Sequence, residues 1–323
     1  MLSLTTMNKW LTLLLLTLLY IPVYSQSETT YIPYVAYWEV GDEYNFSVSK
    51  VKEQWKEDNR IKLDSSTYNA QFKVLQATDS SYLISWTFEN QLPPELNLPE
   101  SLKEQIAGFT NMQVSYETDE LGTFVGVQNW EEISLKTQAL FNEVIKLTQD
   151  VPDSDISNEK LEAAMAPFIS IYSSKEGIER LVLGELQYFH YPMGAEFAVK
   201  DTLHYQDLLP NMFGGTPIRG DARIYFEEVD LENSTSLMIQ QMTLNPEDTK
   251  NTLLDVFKRM NLEENEIEKA LANSEFNITD INKYEFYFYP CVPIKIETKR
   301  TSIINIDSEK GKRIDRTIIK LID

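Results

Sequence analysis

The 323-residue sequence holds one cysteine, two histidines, and 29 lysine and arginine residues against 50 aspartates and glutamates. Each shortage closes a class of function. A single thiol, Cys291, excludes an intramolecular disulfide and a thiolate-rich zinc site. His190 and His204 alone leave little material for a histidine-based metal centre, and no cofactor motif is present. The formal net charge of −21 argues against nucleic-acid binding, which needs a basic face to neutralise phosphates. Apolar residues are not scarce: at 42%, with 11% aromatic, the chain is too rich for disorder. Without disulfides the fold must be held by packing, and a chain of this length can bury an adequate core.

Lys9 precedes a leucine-rich run over residues 10–20, and Pro22 ends it. Val23 and Ser25 suit the small-residue positions of a signal-peptidase site, which places a cut between Ser25 and Gln26. The run is shorter than the roughly 20 residues that span a bilayer, and no stop-transfer pattern follows. Residues 1–25 are therefore read as a signal peptide, with Met7 an alternative start. No cysteine stands at the cut, against lipoprotein attachment. The expected mature chain is 298 residues with 28 bases and 50 acids, a balance of −22. It has no second apolar run long enough to span, so no transmembrane segment is expected after signal removal. The expected location is the periplasm, the outer-membrane surface or the extracellular space.

Period-two alternation marks strands. Tyr44, Phe46 and Val48 alternate with polar residues, as do Tyr68, Ala70, Phe72 and Val74, and then Tyr82, Ile84, Trp86 and Phe88. The turn Asp119-Glu120-Leu121-Gly122 joins a hairpin over 112–130. Spacing of three and four then predicts helices: Ile133, Thr137, Leu140 and Phe141 in one; a second capped by Ser157; and Ile178, Leu181, Val182, Leu186 and Phe189 in a third. Strands return from Gly194. Asn245-Pro246 opens a helix to residue 260, and Asn261 with Glu264 makes a capping box for another. Three strands close the chain over 276–289, 294–306 and 313–322.

The two halves share an order of events. Gly41-Asp42-Glu43-Tyr44 is answered by Gly194-Ala195-Glu196-Phe197 after 153 positions, Ala70-Gln71-Phe72 by Ala222-Arg223-Ile224 after 152, and Leu83-Ile84 by Met238-Ile239 after 155. This collinearity predicts an internal duplication. The expected fold class is α+β: two similar curved antiparallel sheet domains, each with a covering helix, over 26–130 and 191–323, joined by a helical segment over 131–190.

The Gly-Asp-Glu-Tyr strand at Gly41, the hairpin from Asp119 to Asn129, the Phe-His-Tyr-Pro-Met-Gly segment at Phe189 and the Leu-Pro-Asn-Met-Phe-Gly-Gly loop at Leu209 carry a resemblance. With the signal peptide, they make the chain similar to a group of signal-peptide-bearing exported proteins of the Bacteroidota whose function is unknown. The resemblance implies export and offers no catalytic residue. A looser likeness, of fold alone, is to the curved sheet and helix of periplasmic lipoprotein carriers.

Candidate chemistry is sparse. No Gly-x-Ser-x-Gly accompanies either histidine, Cys291 stands between Pro290 and Pro293, and both histidines read as hydrogen-bonded structural groups. Glu131-Glu132, Glu227-Glu228 and Glu263-Glu264 have neighbours that point apart, unlike a glycosidase pair. Asp150, Asp153 and Asp155 lack the glycine and closing glutamate of a calcium loop. Alternation places Tyr284, Phe286 and Phe288 on one sheet face and leaves Tyr287 and Tyr289 surplus on the other. Residues 295–323 carry eight bases and five acids, so the rest of the mature chain stands at −25. Asp201-Thr202-Leu203 fits an O-glycosylation pattern, and Asn45, Asn233 and Asn277 begin Asn-x-Ser/Thr triplets. The function expected is non-enzymatic binding of an apolar ligand or partner protein at the cell envelope, in a concavity between sheet and helices. A structural or assembly role without a small ligand is the alternative, and a hydrolase comes third.

Overall fold

The computed structural model describes residues 29–89, 111–149, 169, 173–209, 216–259, 274–306 and 309–322. The expected signal peptide with its Ser25/Gln26 cut, Asp150, Asp153 and Asp155, and the helices expected at Ser157 and Asn261 lie outside the described residues.

Thirteen strands and three helices follow in chain order among the described residues. They are β1 (Tyr31–Tyr34), β2 (Glu43–Lys56), β3 (Asn59–Ala77), β4 (Ser81–Glu89), β5 (Asn111–Asp119), β6 (Phe124–Val127), α1 (Trp130–Gln149), α2 (Lys175–His190), β7 (Ala195–Ala198), β8 (Leu203–Leu209), β9 (Ile218–Asp230), β10 (Thr235–Leu244), α3 (Pro246–Arg259), β11 (Glu275–Tyr287), β12 (Val292–Ile306) and β13 (Glu309–Ile322). β1 and β7 pair as a two-stranded ribbon. The other eleven form one antiparallel sheet in the order β6-β5-β4-β3-β2-β13-β12-β11-β10-β9-β8.

This corrects the expected pair of similar domains. The N-terminal and C-terminal strands are zipped together by β2 and β13, which pair without interruption from Asn45↔Ile322 to Lys56↔Gly311. The two halves also share one core. Phe46, Phe72, Trp86 and Tyr116 from the first half bury in the same cluster as Met238, Tyr284, Phe286 and Ile319 from the second. The stretch read as a connecting helical segment is in part a covering element. α2 inserts Phe189 between Phe46, Phe72 and Trp86, at ring separations of 5.4, 5.2 and 5.7 Å. The β1–β7 ribbon covers the other half through Tyr34, whose ring meets Phe286 at 5.6 Å and Phe197 at 6.0 Å. Each such buried aromatic contributes about 2–3 kcal/mol. Of the collinear motifs, those at Tyr44, Ala70, Leu83, Ala222 and Met238 lie in strands of one continuous sheet, whereas Ala195–Phe197 lies in the β1–β7 ribbon.

Local signals hold where they are local. β3 and β4 pair through Phe72↔Trp86 and Val74↔Ile84, as the alternation indicates. Ser174 caps α2 by accepting from the Gly177 N–H at 3.1 Å. Asn245 caps α3 with its Oδ1 at 3.0 Å from the N–H groups of both Glu247 and Asp248, and Pro246 takes the first helical position, where no N–H is needed. Asp119 accepts from the N–H groups of Leu121 and Thr123 at 3.0 and 2.7 Å, closing the predicted turn around Gly122, whose φ is +90°.

The covered face changes character in rows across β10, β11, β12, β13 and β2. The first row is apolar: Met238, Tyr284, Ile296, Ile319 and Val48 stand side by side. The next is polar: Gln240, Asn282, Thr298, Thr317 and Lys50. A charged row follows with Asp280, Arg300, Asp315 and Lys52. The polar rows are well satisfied. Asn282 Nδ2 donates to Gln240 Oε1 at 2.7 Å, Gln240 Nε2 donates to the Tyr205 hydroxyl at 2.8 Å, and Tyr205 meets the Tyr191 hydroxyl at 2.7 Å. Arg300 grips Asp280 bidentately at 2.7 and 2.6 Å, and Lys50 pairs with Glu185 of α2. Such a belt is tolerated because its members bond one another. Beyond it the face turns apolar again at Ile278, Phe276 and Ile304.

Candidate functional site

The second apolar stretch is roofed by α3. Leu253 and Leu254 of that helix pack on Phe276 of β11 and Ile304 of β12. The helix is pinned at its start by its cap and by Asp248, which takes Arg219 bidentately at 2.7 and 2.8 Å. The Arg219 guanidinium and N–H hold the Asp248 carboxyl down to about 2, so the tie stays charged through the neutral range. The roof does not close onto the sheet. An open cleft of about 400 Å³ remains, lined by Trp55, Ile61, Ile218, Leu253, Ile278 and Ile304, with Lys312 and Arg313 beside them. The volume and apolar lining suit a small ligand.

Trp55 and Lys312 pair across β2 and β13, one position out of step with Gln54 and Arg313, so their side chains leave on the other face of the sheet. Lys312 Nζ stands 5.0 Å from the Trp55 ring centroid, and the Arg60 guanidinium stands 5.9 Å away. Trp55 sits where β2 meets β3 through a register shift between Gln54 and Trp55. Its indole N–H is buried and has no acceptor. Arg313 is neutralised by Asp315, with both bonds at 2.8 Å.

A second, smaller cleft of about 250 Å³ lies beside the β1–β7 ribbon, lined in part by Tyr31, Phe197, Leu203 and Tyr225. Asp201 and Thr202 of the glycosylation pattern are exposed at its edge.

The residues singled out in the sequence do not converge on chemistry. His190 is buried with both ring nitrogens engaged: Nδ1 lies 2.8 Å from the Gly122 carbonyl and donates to it, so Nε2 accepts from the Tyr116 hydroxyl at 2.8 Å. Burial pushes its pKa down to about 4, leaving a neutral ring that ties α2 to the predicted Asp119 turn. His204 is exposed on the edge strand β8. Cys291 is buried, burial pushes its thiol up to about 12, and its carbonyl accepts from Trp38 Nε1 at 3.2 Å. Glu132 pairs with Lys136 at 2.7 Å and Glu227 with Lys283 at 3.7 Å; Glu263-Glu264 lies outside the described residues. Tyr284 and Phe286 are core, whereas Tyr287 and Tyr289 are exposed, Tyr289 lying 5.2 Å from Tyr37. Among the described residues no group of three or more histidine, cysteine or acidic side chains is placed to hold a metal, and no helix is long and apolar enough to cross a membrane. The sequence leads one to expect a concavity between sheet and helices but marks none of the residues that line this cleft.

No family model and no curated protein matches the chain. Among solved structures it is similar to lipovitellin, in a structure concerned with lipid–protein interactions, at 8% identity and a TM-score of 0.43 over 88% of this chain. The chain spans about a quarter of that protein, 25% of its length. It is also similar to an outer membrane channel of Pseudomonas putida F1, at 8% identity and a TM-score of 0.20, over 90% of this chain and 98% of that one. At such scores neither likeness bears on function.

Proposed function

We propose that the protein is an exported, non-enzymatic binding protein of the cell envelope that holds an apolar ligand in the cleft under α3. The observation that carries this reading is a contrast on one sheet face. Under α2 and the β1–β7 ribbon the face is filled with buried aromatics; under α3 the same face leaves about 400 Å³ of open, largely apolar space. An apolar cleft kept open in water forgoes burial that a filled one would gain, so its use is to be filled by something else. The polar belt between the two regions keeps the cleft from merging with the core.

Native mass spectrometry of the protein taken from its own envelope tests this. A small-molecule adduct is expected on the wild type and is lost in Leu253→Trp, which fills the cleft from its roof. A bare apo mass in the wild type overturns the reading.

A second reading rests on β3. Among the described residues its first part pairs with β2 alone and meets β4 only from Ala70 onward, and Asn59–Thr67 is exposed. Such an edge can accept a strand from a partner protein. In the same experiment a bound protein without a small adduct favours this reading.

A further inference from the structure

We infer that the outer face of β12 and β13, turned away from the core, docks on an anionic lipid surface. This goes beyond the cleft reading and does not depend on the cleft being filled. Strand alternation defines the face. Ile296 and Ile319 point into the core, so residues at odd offsets from them point out. Along the described part of the two strands those outward positions carry Lys295, Lys299, Lys310, Lys312, Arg316 and Lys320 against one acid, Glu297. Among the described residues α2, α3 and the β1–β7 ribbon pack on the opposite face, and α1 packs on α2.

Three observations point outward from this face. First, like charges are set against each other. Lys299 lies directly opposite Arg316, and Lys295 opposite Lys320. Such pairs cost free energy across a ladder. Glu297 answers Lys295 at 3.1 Å and stands 4.0 Å from Arg316, while Lys299 and Lys312 have no acidic partner among the described residues. A counter-charge from outside relieves the repulsion. Second, the face is apolar where a wetted one is polar. Ile303, Ile314 and Ile318 stand on it, beside Val51 of β2 and Ile281 of β11, which is 40% exposed. Third, the chain as a whole carries −21. It repels an anionic surface in most orientations, and only a local cationic face turns it toward one.

A lipid surface fits this mixture. From Lys310 to Lys320 the cations run over ten residues of strand, about 33 Å, so they meet an extended surface and not a single group. Cationic and apolar side chains alternate along β13 as Lys312, Ile314, Arg316, Ile318 and Lys320. The long cationic stems lie along apolar surface while their heads reach phosphates, and the isoleucines between them enter the headgroup layer. A soluble polyanion answers the charges but leaves the isoleucines in water. The alternation also lacks the contiguous apolar centre of a protein interface.

Sedimentation of the full chain with vesicles tests this. The wild type should bind vesicles of phosphatidylcholine mixed with phosphatidylglycerol, bind pure phosphatidylcholine far less, and lose affinity as salt is added. Lys299→Gln combined with Lys312→Gln should weaken binding to the anionic vesicles by roughly thirtyfold, since each cation at such a surface gives about a fivefold gain. Lys299→Gln relieves a like-charge pair, so it should not lower Tm. Lys136→Gln combined with Lys200→Gln makes the same change in net charge at exposed positions off this face, and should bind as the wild type does. Equal binding to the two kinds of vesicle overturns the proposal, as does equal loss in the two double variants or binding undiminished in the Lys299 and Lys312 pair. No binding to either vesicle overturns it in favour of an acidic protein on this face.

Discussion

Ile319 of β13 stands directly opposite Val48 of β2, and both side chains are fully buried. This contact joins the two ends of the chain into a single sheet and a single core. Truncation at Ile319 should therefore unsettle the whole structure. Ile319→Ala is expected to cost about 2–4 kcal/mol. Scanning calorimetry should show one transition in both wild type and variant, shifted down as a unit. Two separable transitions, with only one of them shifted, would contradict the shared core.

His190 makes stability depend on acid. Its pKa in the folded protein, about 4, lies below the ordinary value of 6.5, so the unfolded chain binds the extra proton first. The contribution is fully present above pH 6.5 and is lost progressively as the pH falls toward 4. Linkage sets the loss at about 3 kcal/mol over that window. His190→Phe should be less stable at neutral pH, because Tyr116 and Gly122 lose their partner, yet its stability should fall less steeply between pH 6.5 and 4. Parallel urea midpoints against pH in the two proteins would contradict this.

The Asp280–Arg300 pair anchors the polar belt, with Asp280 much the more buried partner. Asp280→Ala leaves the guanidinium half-buried and unanswered, at an expected cost of about 3 kcal/mol. The double substitution with Arg300→Met should recover more than half of it. A denaturant double-mutant cycle with no coupling would show that the pair is incidental.

Asn245 holds the start of the roof. Asn245→Ala should cost about 1 kcal/mol and raise amide exchange through the first turn of α3. Because α3 supplies Leu253 to the cleft, ligand affinity should fall in the same variant. Unchanged exchange and affinity would detach the cap from the site.

Ligand affinity should climb with tail length. Each added methylene buried in the cleft is worth about 0.8 kcal/mol, or about fourfold in Kd, until the tail outgrows the space. A flat series from hexanoate to decanoate would place the tail in water.

How much of this was readable follows from the range of each signal. The strand alternation of Tyr68–Val74 and Tyr82–Phe88, the Asp119 turn and the Asn245-Pro246 helix start are written in adjacent residues, and all are present. β1, with only four residues and a proline, carries too little pattern to be seen, and it finds its partner in β7. The β2–β13 ladder has no local signature, because its partners lie at opposite ends of the chain; without it, two domains were the natural reading. The cleft depends on that same ladder, which brings Gln54 beside Arg313. Asp280 and Asn282 point inward where strand alternation leads one to expect apolar residues. They are tolerated because Arg300 and Gln240 answer them across the sheet, a relation invisible along β11 itself.

An apolar chain is expected in the cleft under α3, which Trp55 borders. Quenching of tryptophan fluorescence by a brominated decanoate tests it directly, since bromine quenches only indoles it touches. Of the other four tryptophans, Trp38 and Trp86 are buried in the filled core, Trp130 packs half-buried against it, and Trp10 lies outside the described residues. Saturable quenching in the wild type that disappears in Trp55→Phe is the predicted result. Absence of quenching in the wild type, or quenching of full amplitude that persists in Trp55→Phe, would contradict it.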